Sequence, residues 1–541
     1  MTSGFGSIAA VRKALDEGTT SSVELVERAV ETEDPLGVFL TRFDEQALAA
    51  AERADAARAS GVSSPLLGVP VAIKDILSTV EGKTTAQSLV LDREWGRNDA
   101  GCVARLRTAG AIVIGKTTTM EFAFGSPDET KPFPIPRNPW SPAHWTGGSS
   151  SGSAAGVAAG LFAGAVGTDT AASIRMPAAL CGVTGHKPTF GLVGRSGCVP
   201  LAWSLDHIGP IARTAEDCAV MLEVMAGHDP GDPSSVDVPQ GGFGERLGKD
   251  LRGVRIGVDQ LSRYAGGDQD SGLPGLFEGF VSSLQDCGAD VVPIELPAYE
   301  ELTTVCLLTL LGEGLAYHTP DLRGRWEDYF ASTRAGLALG AFVGAGDYVH
   351  AQRVRRSILT ELARLFSRVE LIATPTVSRA APLLAEIDSY LEPFFAVRDI
   401  SFHTGYWNAT GHPAISVPIG FTAAGLPLAA QLIGRPFEDA TVLGAADAFQ
   451  RVTDWHTCRP PDHAAQPFEP ARAAETPHEP ATNNDPAGAV IRMHRFGPNL
   501  SELSALRVGG ALVREHVDRL HAFEGARYES PALSFAAGAM L

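Results

Sequence analysis

Several chemistries are missing from this chain of 541 residues, and each absence narrows what it does. Positive charge is scarce: 44 Lys and Arg stand against 63 Asp and Glu, a formal net charge of −19, and no basic stripe occurs. That argues against a nucleic acid or an anionic membrane as partner. Cysteine is sparse and odd in number, seven residues with no C-x-x-C pair, which reads as reduced thiols of a cytoplasmic protein rather than a disulfide framework. The same spacing, with no H-E-x-x-H, leaves no zinc site, so no metal and no cofactor are expected. Long hydrophobic runs are absent too. The most apolar stretch, Ala154 to Gly167, is built of small residues and is too short to span a bilayer. The opening "MTSGFGSIAAVRKALDEGTT" lacks a basic segment followed by an apolar run, so no secretory leader is expected. No internal repeat is found.

What is present is an ordinary globular composition, 44% hydrophobic and 20% charged, with length enough for a large core. "TSSVELVERAVE" offers Ser and Thr caps ahead of helically spaced apolar residues, and "EQALAAAERADAARA" continues as a second helix. "LLGVPVAIKDI" breaks that period with a turn and a β-branched run, predicting a buried strand that carries Lys74. Further on, "GVRIGVD", "VSSLQDCGADVVPIEL" and "RVELIATPTV" alternate strand and helix, and "HPAISVPIGF" with "GLPLAAQLIG" adds two late strands. The expectation is an α/β fold: a central mixed, largely parallel twisted sheet with helices on both faces. Residues 131–152, dense in Pro, Gly and Ser, read as loop. Residues 461–487 read as a Pro-rich linker or surface wrap. Residues 488–541 hold one helix, "LSELSALRVGGALVREHVDRLHAF", which either covers hydrophobic surface or joins a homodimer interface, and the tail is expected to be dispensable for bond breaking.

One motif misleads. "GAIVIGKT" satisfies G-x-x-x-x-G-K-T, yet its Ala-Ile-Val-Ile interior favours a strand over a phosphate-cradling loop. It is read as a buried strand ending in a surface lysine.

A serine nucleophile needs a base. His186 and His207 are candidates, but nothing local marks either. Lysine can serve once burial makes it neutral, and Lys74 is flanked by Val71, Ala72, Ile73, Ile76 and Leu77. Local sequence alone favours a lysine reaching solvent from an edge strand, because buried lysine is rare. "TGGSSSGSAAG" supplies hydroxyls on a flexible backbone, and "GTDTAASIRMPAALCG" follows after a small-residue helix.

With these segments in place the chain resembles the amidase signature family. The likeness extends through "GVPVAIKD", "GKTTTMEFAFG", "RNPW", "CGVTGHKPTFGLV", "SLDHIGPIARTAED", "NATGHPAISVPIGF" and "GLPLAAQLIGRPF", in the family's order, over roughly residues 7–460. The resemblance implies one amidase domain over 1–460, its catalytic core about 65–215. It further implies Ser173 as nucleophile, Ser149 as a bridging serine on a cis peptide, and Lys74 as general base. The backbone N–H groups of Thr170, Ala171, Ala172 and Ser173 would form the oxyanion hole, with Asp169 and Arg175 pairing to brace the loop. Ala171-Ala172 stands where the family usually has Gly-Gly. The implied activity is hydrolysis of a carboxamide or related C–N bond (an aryl or alkyl amide, anilide or carbamate) through a serine acyl-enzyme. The alternative is the glutaminase A subunit of a tRNA-dependent amidotransferase, and a catalytically silent amidase fold is the third reading. His207 in "SLDHIGP", the Ala-Ala pair and the tail lean toward a free-standing enzyme with a small-molecule amide substrate. "KPFPIPRNPW" and "GEGLAYHTPDLRGRWEDY" are candidate pocket walls, through Phe133, Tyr317 and Trp326.

Overall fold

The computed structural model describes residues 4–92, 95–237, 241–264, 269–387, 403–461, 486–526, 529 and 531. Its centre is one sheet of eleven strands, drawn from residues as far apart as Phe39 and Gly434. The strands are β1 (Phe39–Arg42), β2 (Pro70–Lys74), β3 (Ile112–Thr117), β6 (Gly164–Asp169), β7 (Thr184–Lys187), β8 (His207–Ala212), β9 (Arg255–Val258), β10 (Asp290–Pro293), β11 (Leu371–Pro375), β12 (Ala414–Phe421) and β13 (Pro427–Gly434). Two more, β4 (Arg137–Asn138) and β5 (Ser141–Trp145), form a separate hairpin. The order across the sheet is β1-β3-β2-β6-β8-β7-β12-β13-β11-β9-β10. Pairing is parallel within β3-β2-β6 and within β11-β9-β10, and antiparallel elsewhere. The fold is α/β with a mixed sheet, as the alternation of strand and helix patterns indicates.

Local chemistry explains the elements that hold the site. Every residue of β2 and of β6 is buried, which fits their runs of Val, Ala and Ile. Between β5 and β6 lies the helix Ser151–Ala159, whose small residues let it sit close to its neighbours. A Cβ at Gly152 would stand 2.4 Å from the carbonyl oxygen of Val38, so no side chain fits there. Gly160 ends that helix in the left-handed conformation, φ 73°.

Three expectations need correction. Residues 131–152 are not loop throughout: the β4–β5 hairpin lies within them, and the Ser151–Ala159 helix starts inside their end. "GAIVIGKT" does become strand β3, but its lysine is no surface residue. Lys116 is wholly buried, its Nζ 2.9 Å from Asp75 Oδ1 and 2.7 Å from the carbonyl oxygen of Leu77. Among the described residues the tail has two α-helices, Pro486–His494 and Leu500–His521. Most of the Pro-rich segment at 461–487 lies outside the described residues. The second tail helix covers hydrophobic surface, with Leu503, Leu506, Val513, Val517 and Leu520 all buried.

Candidate active site

Strands β2 and β6 run parallel and adjacent, with Ile73 opposite Val166, so their carboxyl ends lie side by side. Such ends are where α/β sheets place ligands. Lys74 closes β2 and Thr168-Asp169 closes β6. Lys74 is completely buried, and its Nζ lies 2.7 Å from Ser149 Oγ and 2.7 Å from Thr168 Oγ1. Burial lowers its pKa from the ordinary lysine value to about 7, although Cys198, Asp169 and Asp206 pull the other way. At neutral pH and above, much of this amine is therefore uncharged.

Ser149 stands on a segment stitched to both sides of the site. The Gly148–Ser149 peptide is cis. The carbonyl oxygen of Ser149 accepts from the N–H of Met120 at 3.2 Å, and the N–H of Ser150 donates to the carbonyl oxygen of Ser173 at 3.2 Å. Gly147 has φ 75°, and a Cβ there would meet the Pro177 backbone at 3.0 Å, so glycine is required twice over. The segment Gly148–Gly152 also spells G-x-S-x-G around Ser150. Ser150 is fully buried, and its Oγ is engaged with the backbone of Thr168, 3.2 Å from both N and O. It is a brace, not a reactive group.

Ser173 lies on the turn between β6 and the helix Arg175–Cys181 and lines the same pocket as Ser149. Its hydroxyl makes no side-chain hydrogen bond among the described residues. The backbone around it is held from one side by Asp169. Asp169 Oδ2 accepts from the N–H groups of Ile174 (3.1 Å) and Arg175 (3.3 Å), capping the helix. The N–H groups just before, on Ala171, Ala172 and Ser173, donate to no acceptor among the described residues. Buried unpaired amides are costly unless a ligand satisfies them. Neither Ala171 nor Ala172 has a positive φ, so alanine sits here without strain. The two methyls also line the pocket. Ala172→Gly is thus expected to change which amides are accepted more than the best attainable rate, measured as kcat/KM across amides of graded bulk.

The brace under this turn is a buried network. Arg175 Nε lies 3.0 Å from Asp169 Oδ2 and its Nη2 lies 3.0 Å from Oδ1. Asn408 Nδ2 donates to Asp169 Oδ1 at 2.9 Å, Arg175 Nη1 donates to Gln431 Oε1 at 3.1 Å, and Nη2 donates to Asn408 Oδ1 at 2.6 Å. Burial alone would raise the Asp169 carboxyl, but the Arg175 guanidinium holds it well below the usual range. Removing one partner leaves a buried charge uncompensated, a loss of about 3–5 kcal/mol. Arg175→Met should lower the urea midpoint accordingly, and an unchanged midpoint would show that the pair does not hold the fold. Asp206 ties the turn to its neighbour, accepting from Thr170 Oγ1 at 2.6 Å and from the N–H groups of Leu201 and Ala202.

The histidine candidates lie elsewhere. His186 Nε2 is 3.1 Å from Asp439 Oδ1 and His207 Nδ1 donates to the carbonyl oxygen of Leu205 at 2.6 Å; neither lines the pocket. Nor do the three aromatic candidates. Phe133 packs on Phe330, Tyr317 on His318 and Trp326 on Phe496. The pocket's aromatic walls are Phe124 and Trp145, joined by Met120, Met176, Leu201, Leu307 and Leu310. Sequence reasoning missed His516 altogether, a pocket residue from the tail. It assigned no role to Thr168, Asp206, Asn408 or Gln431, although all four stand within the motifs that carry the family resemblance. Among the described residues, no group of three or more His, Cys, Asp or Glu could hold a metal ion.

With this geometry in view, the amidase family profile matches residues 22–443. The chain belongs to the amidase signature family. It is 41% identical over 477 residues to the A subunit of the Glutamyl-tRNA(Gln) amidotransferase of Roseiflexus sp. (strain RS-1), covering 83% of this chain and 96% of the relative. Among solved structures it resembles the same subunit from Thermotoga maritima, with 32% identity, a TM-score of 0.68, and 82% and 94% of the two chains covered. It also resembles the native peptide amidase of Stenotrophomonas maltophilia, with 29% identity, a TM-score of 0.70, and 84% and 98% covered. These relatives correct one expectation, that of an enzyme with only a small-molecule amide partner and no nucleic acid. The curated relatives carry the name of one subunit of an amidotransferase of glutamyl-tRNA. A charge count reports on a single chain's own surface, not on what an assembly containing it acts on, and so it could not exclude this. No described helix is long and apolar enough to cross a membrane.

Proposed function

We propose that this amidase cleaves a carboxamide through an acyl-enzyme on Ser173, and that the amide is the side chain of glutamine, with the chain serving as the A subunit of a tRNA-dependent amidotransferase. The observation carrying the chemistry is the 2.7 Å contact between a buried lysine of lowered pKa and Ser149, beside Ser173. In this reading Ser173 Oγ attacks the amide carbonyl while its proton passes through Ser149 to neutral Lys74. The N–H groups of Thr170, Ala171, Ala172 and Ser173 receive the developing oxyanion. The proton returns through Ser149 to the departing nitrogen, and water then releases the acyl group. The glutamine assignment is supported by the 41% identity to such a relative over nearly its whole length.

A second reading, an amide with an apolar acyl group, is favoured by the pocket itself. Among its described lining residues none is Asp, Glu, Lys or Arg, whereas glutamine carries an ammonium and a carboxylate that a buried site would have to pair. Ammonia release from glutamine, by the chain alone and with any subunits that co-purify, is to be compared with hydrolysis of anilides and alkyl amides, using Ser173→Ala as blank. Turnover of glutamine upholds the first reading. Turnover of apolar amides alone replaces it with the second.

A further inference from the structure

Among the pocket's described lining residues, one lies outside the stretch that the family profile matches. The other described lining residues fall between Met120 and Gly405, inside 22–443. His516 belongs to the tail helix Leu500–His521. We propose that this tail helix is a substrate-selecting wall of the pocket, and that His516 is a specificity-determining residue that sets how long an apolar acyl group the site accepts. The inference rests on the second reading above, that this pocket receives an apolar acyl group delivered to Ser173.

The helix is built to hold that wall in place. Asn499 caps it, accepting from the N–H of Glu502, while Glu502 accepts from the N–H of Asn499. Glu502 is fully buried against Arg334, Oε1 to Nε at 2.7 Å, and accepts from Trp326 Nε1 at 3.3 Å. The far end is fastened by Arg519 to Glu300 and by Arg514 to Asp347. Val513, Val517 and Leu520 are buried at helical spacing, so the same face turns toward the protein at position 516.

His516 Nδ1 lies 3.0 Å from Thr304 Oγ1, and Thr304 is itself buried. Thr303, Thr304, Leu307 and Leu310 form one stripe of the helix Tyr299–Gly324, and this stripe is the pocket's floor. It runs for about 10 Å at 1.5 Å per residue, room for a chain of several methylenes. Cys306 of the same helix also lines the pocket, and Gly405 sits between it and the reactive turn: a Cβ there would stand 3.3 Å from Cys306 Sγ and 3.9 Å from the carbonyl oxygen of Ala171. The imidazole, held by Thr304 over this floor, occupies space that a longer acyl group would need. Each methylene that finds apolar contact is worth about a fourfold change in rate.

The test uses the full chain and n-alkyl fluorophosphonates from ethyl to dodecyl, with the rate of Ser173 modification followed by intact mass. Wild type should label faster with each added carbon up to a limit and then more slowly. His516→Ala should move that limit outward by about two carbons, raising the rate beyond the old limit by roughly fifteenfold. His516→Trp should move it inward. Shifts in opposite directions uphold the proposal. An unmoved profile in both variants overturns it while leaving the amidase reading intact, and shifts in the same direction overturn it as a loosening of the helix. No modification of Ser173 by any probe overturns the nucleophile assignment and this inference together.

Discussion

Ser173→Ala is expected to remove turnover of every amide the protein accepts, a fall on the order of 10⁴–10⁶ in kcat, without lowering the melting temperature. The size follows from the loss of the atom that bonds to the acyl group, since the other hydroxyls among the described pocket residues are engaged: Thr170 with Asp206, Thr303 with the carbonyl oxygen of Tyr299 and Thr304 with His516. Ser149 is held against Lys74, and Ser150 is occupied by the Thr168 backbone. Stability should be spared because the Ser173 hydroxyl makes no side-chain hydrogen bond among the described residues, while its carbonyl oxygen still accepts from the N–H of Ser150. A variant keeping more than about a hundredth of the wild-type rate would mean that the acyl group is carried elsewhere.

Lys74→Met should be nearly as damaging, and it tests the base rather than the nucleophile. Methionine fills similar space, is apolar as the buried position prefers, and has no nitrogen to take a proton. The sign of the pH dependence follows from the direction of the shift. Burial disfavours the ammonium, so the folded-state pKa is depressed to about 7, and the amine is neutral above that value. The wild-type rate should then rise with pH through an apparent pKa near 7 and level off above it. His516 also lines the pocket, and an imidazole is itself a candidate base. The rise must therefore persist in His516→Ala and vanish in Lys74→Met. Folding carries the same sign: protonating Lys74 in the native state opposes burial, so this residue favours stability least below pH 7 and releases that penalty as pH rises toward the unfolded value.

The fold was legible where its signals are local. Val71 to Ile73 announce a buried strand, and the Gly-Ala run after Ser151 announces a close-packed helix, because burial and tight approach act on neighbours in sequence. The candidate site was legible for a different reason, a resemblance carried by several motifs in one order. What escaped depends on partners distant in the chain. Lys116 looked like a surface lysine because Asp75, which neutralises it, belongs to the end of another strand. Asn408 and Gln431 meet Asp169 and Arg175 only once β12 and β13 have joined the sheet. The β4–β5 hairpin hid among Pro, Gly and Ser because its strands are too short to show a period of two. His516 had no signal at all, since nothing in a helix of mixed polarity says that one of its histidines will face a pocket built by residues two hundred positions earlier.

The central claim is that Ser173 is activated by neutral Lys74 through Ser149, and the pH dependence of covalent modification at Ser173 tests it most directly. With ethyl fluorophosphonate and peptide mapping, the adduct should lie on Ser173, form at a rate that rises through pH 7 in wild type, and form slowly without that rise in Lys74→Met. An adduct on another residue, or the same pH profile with Lys74 removed, would contradict the account.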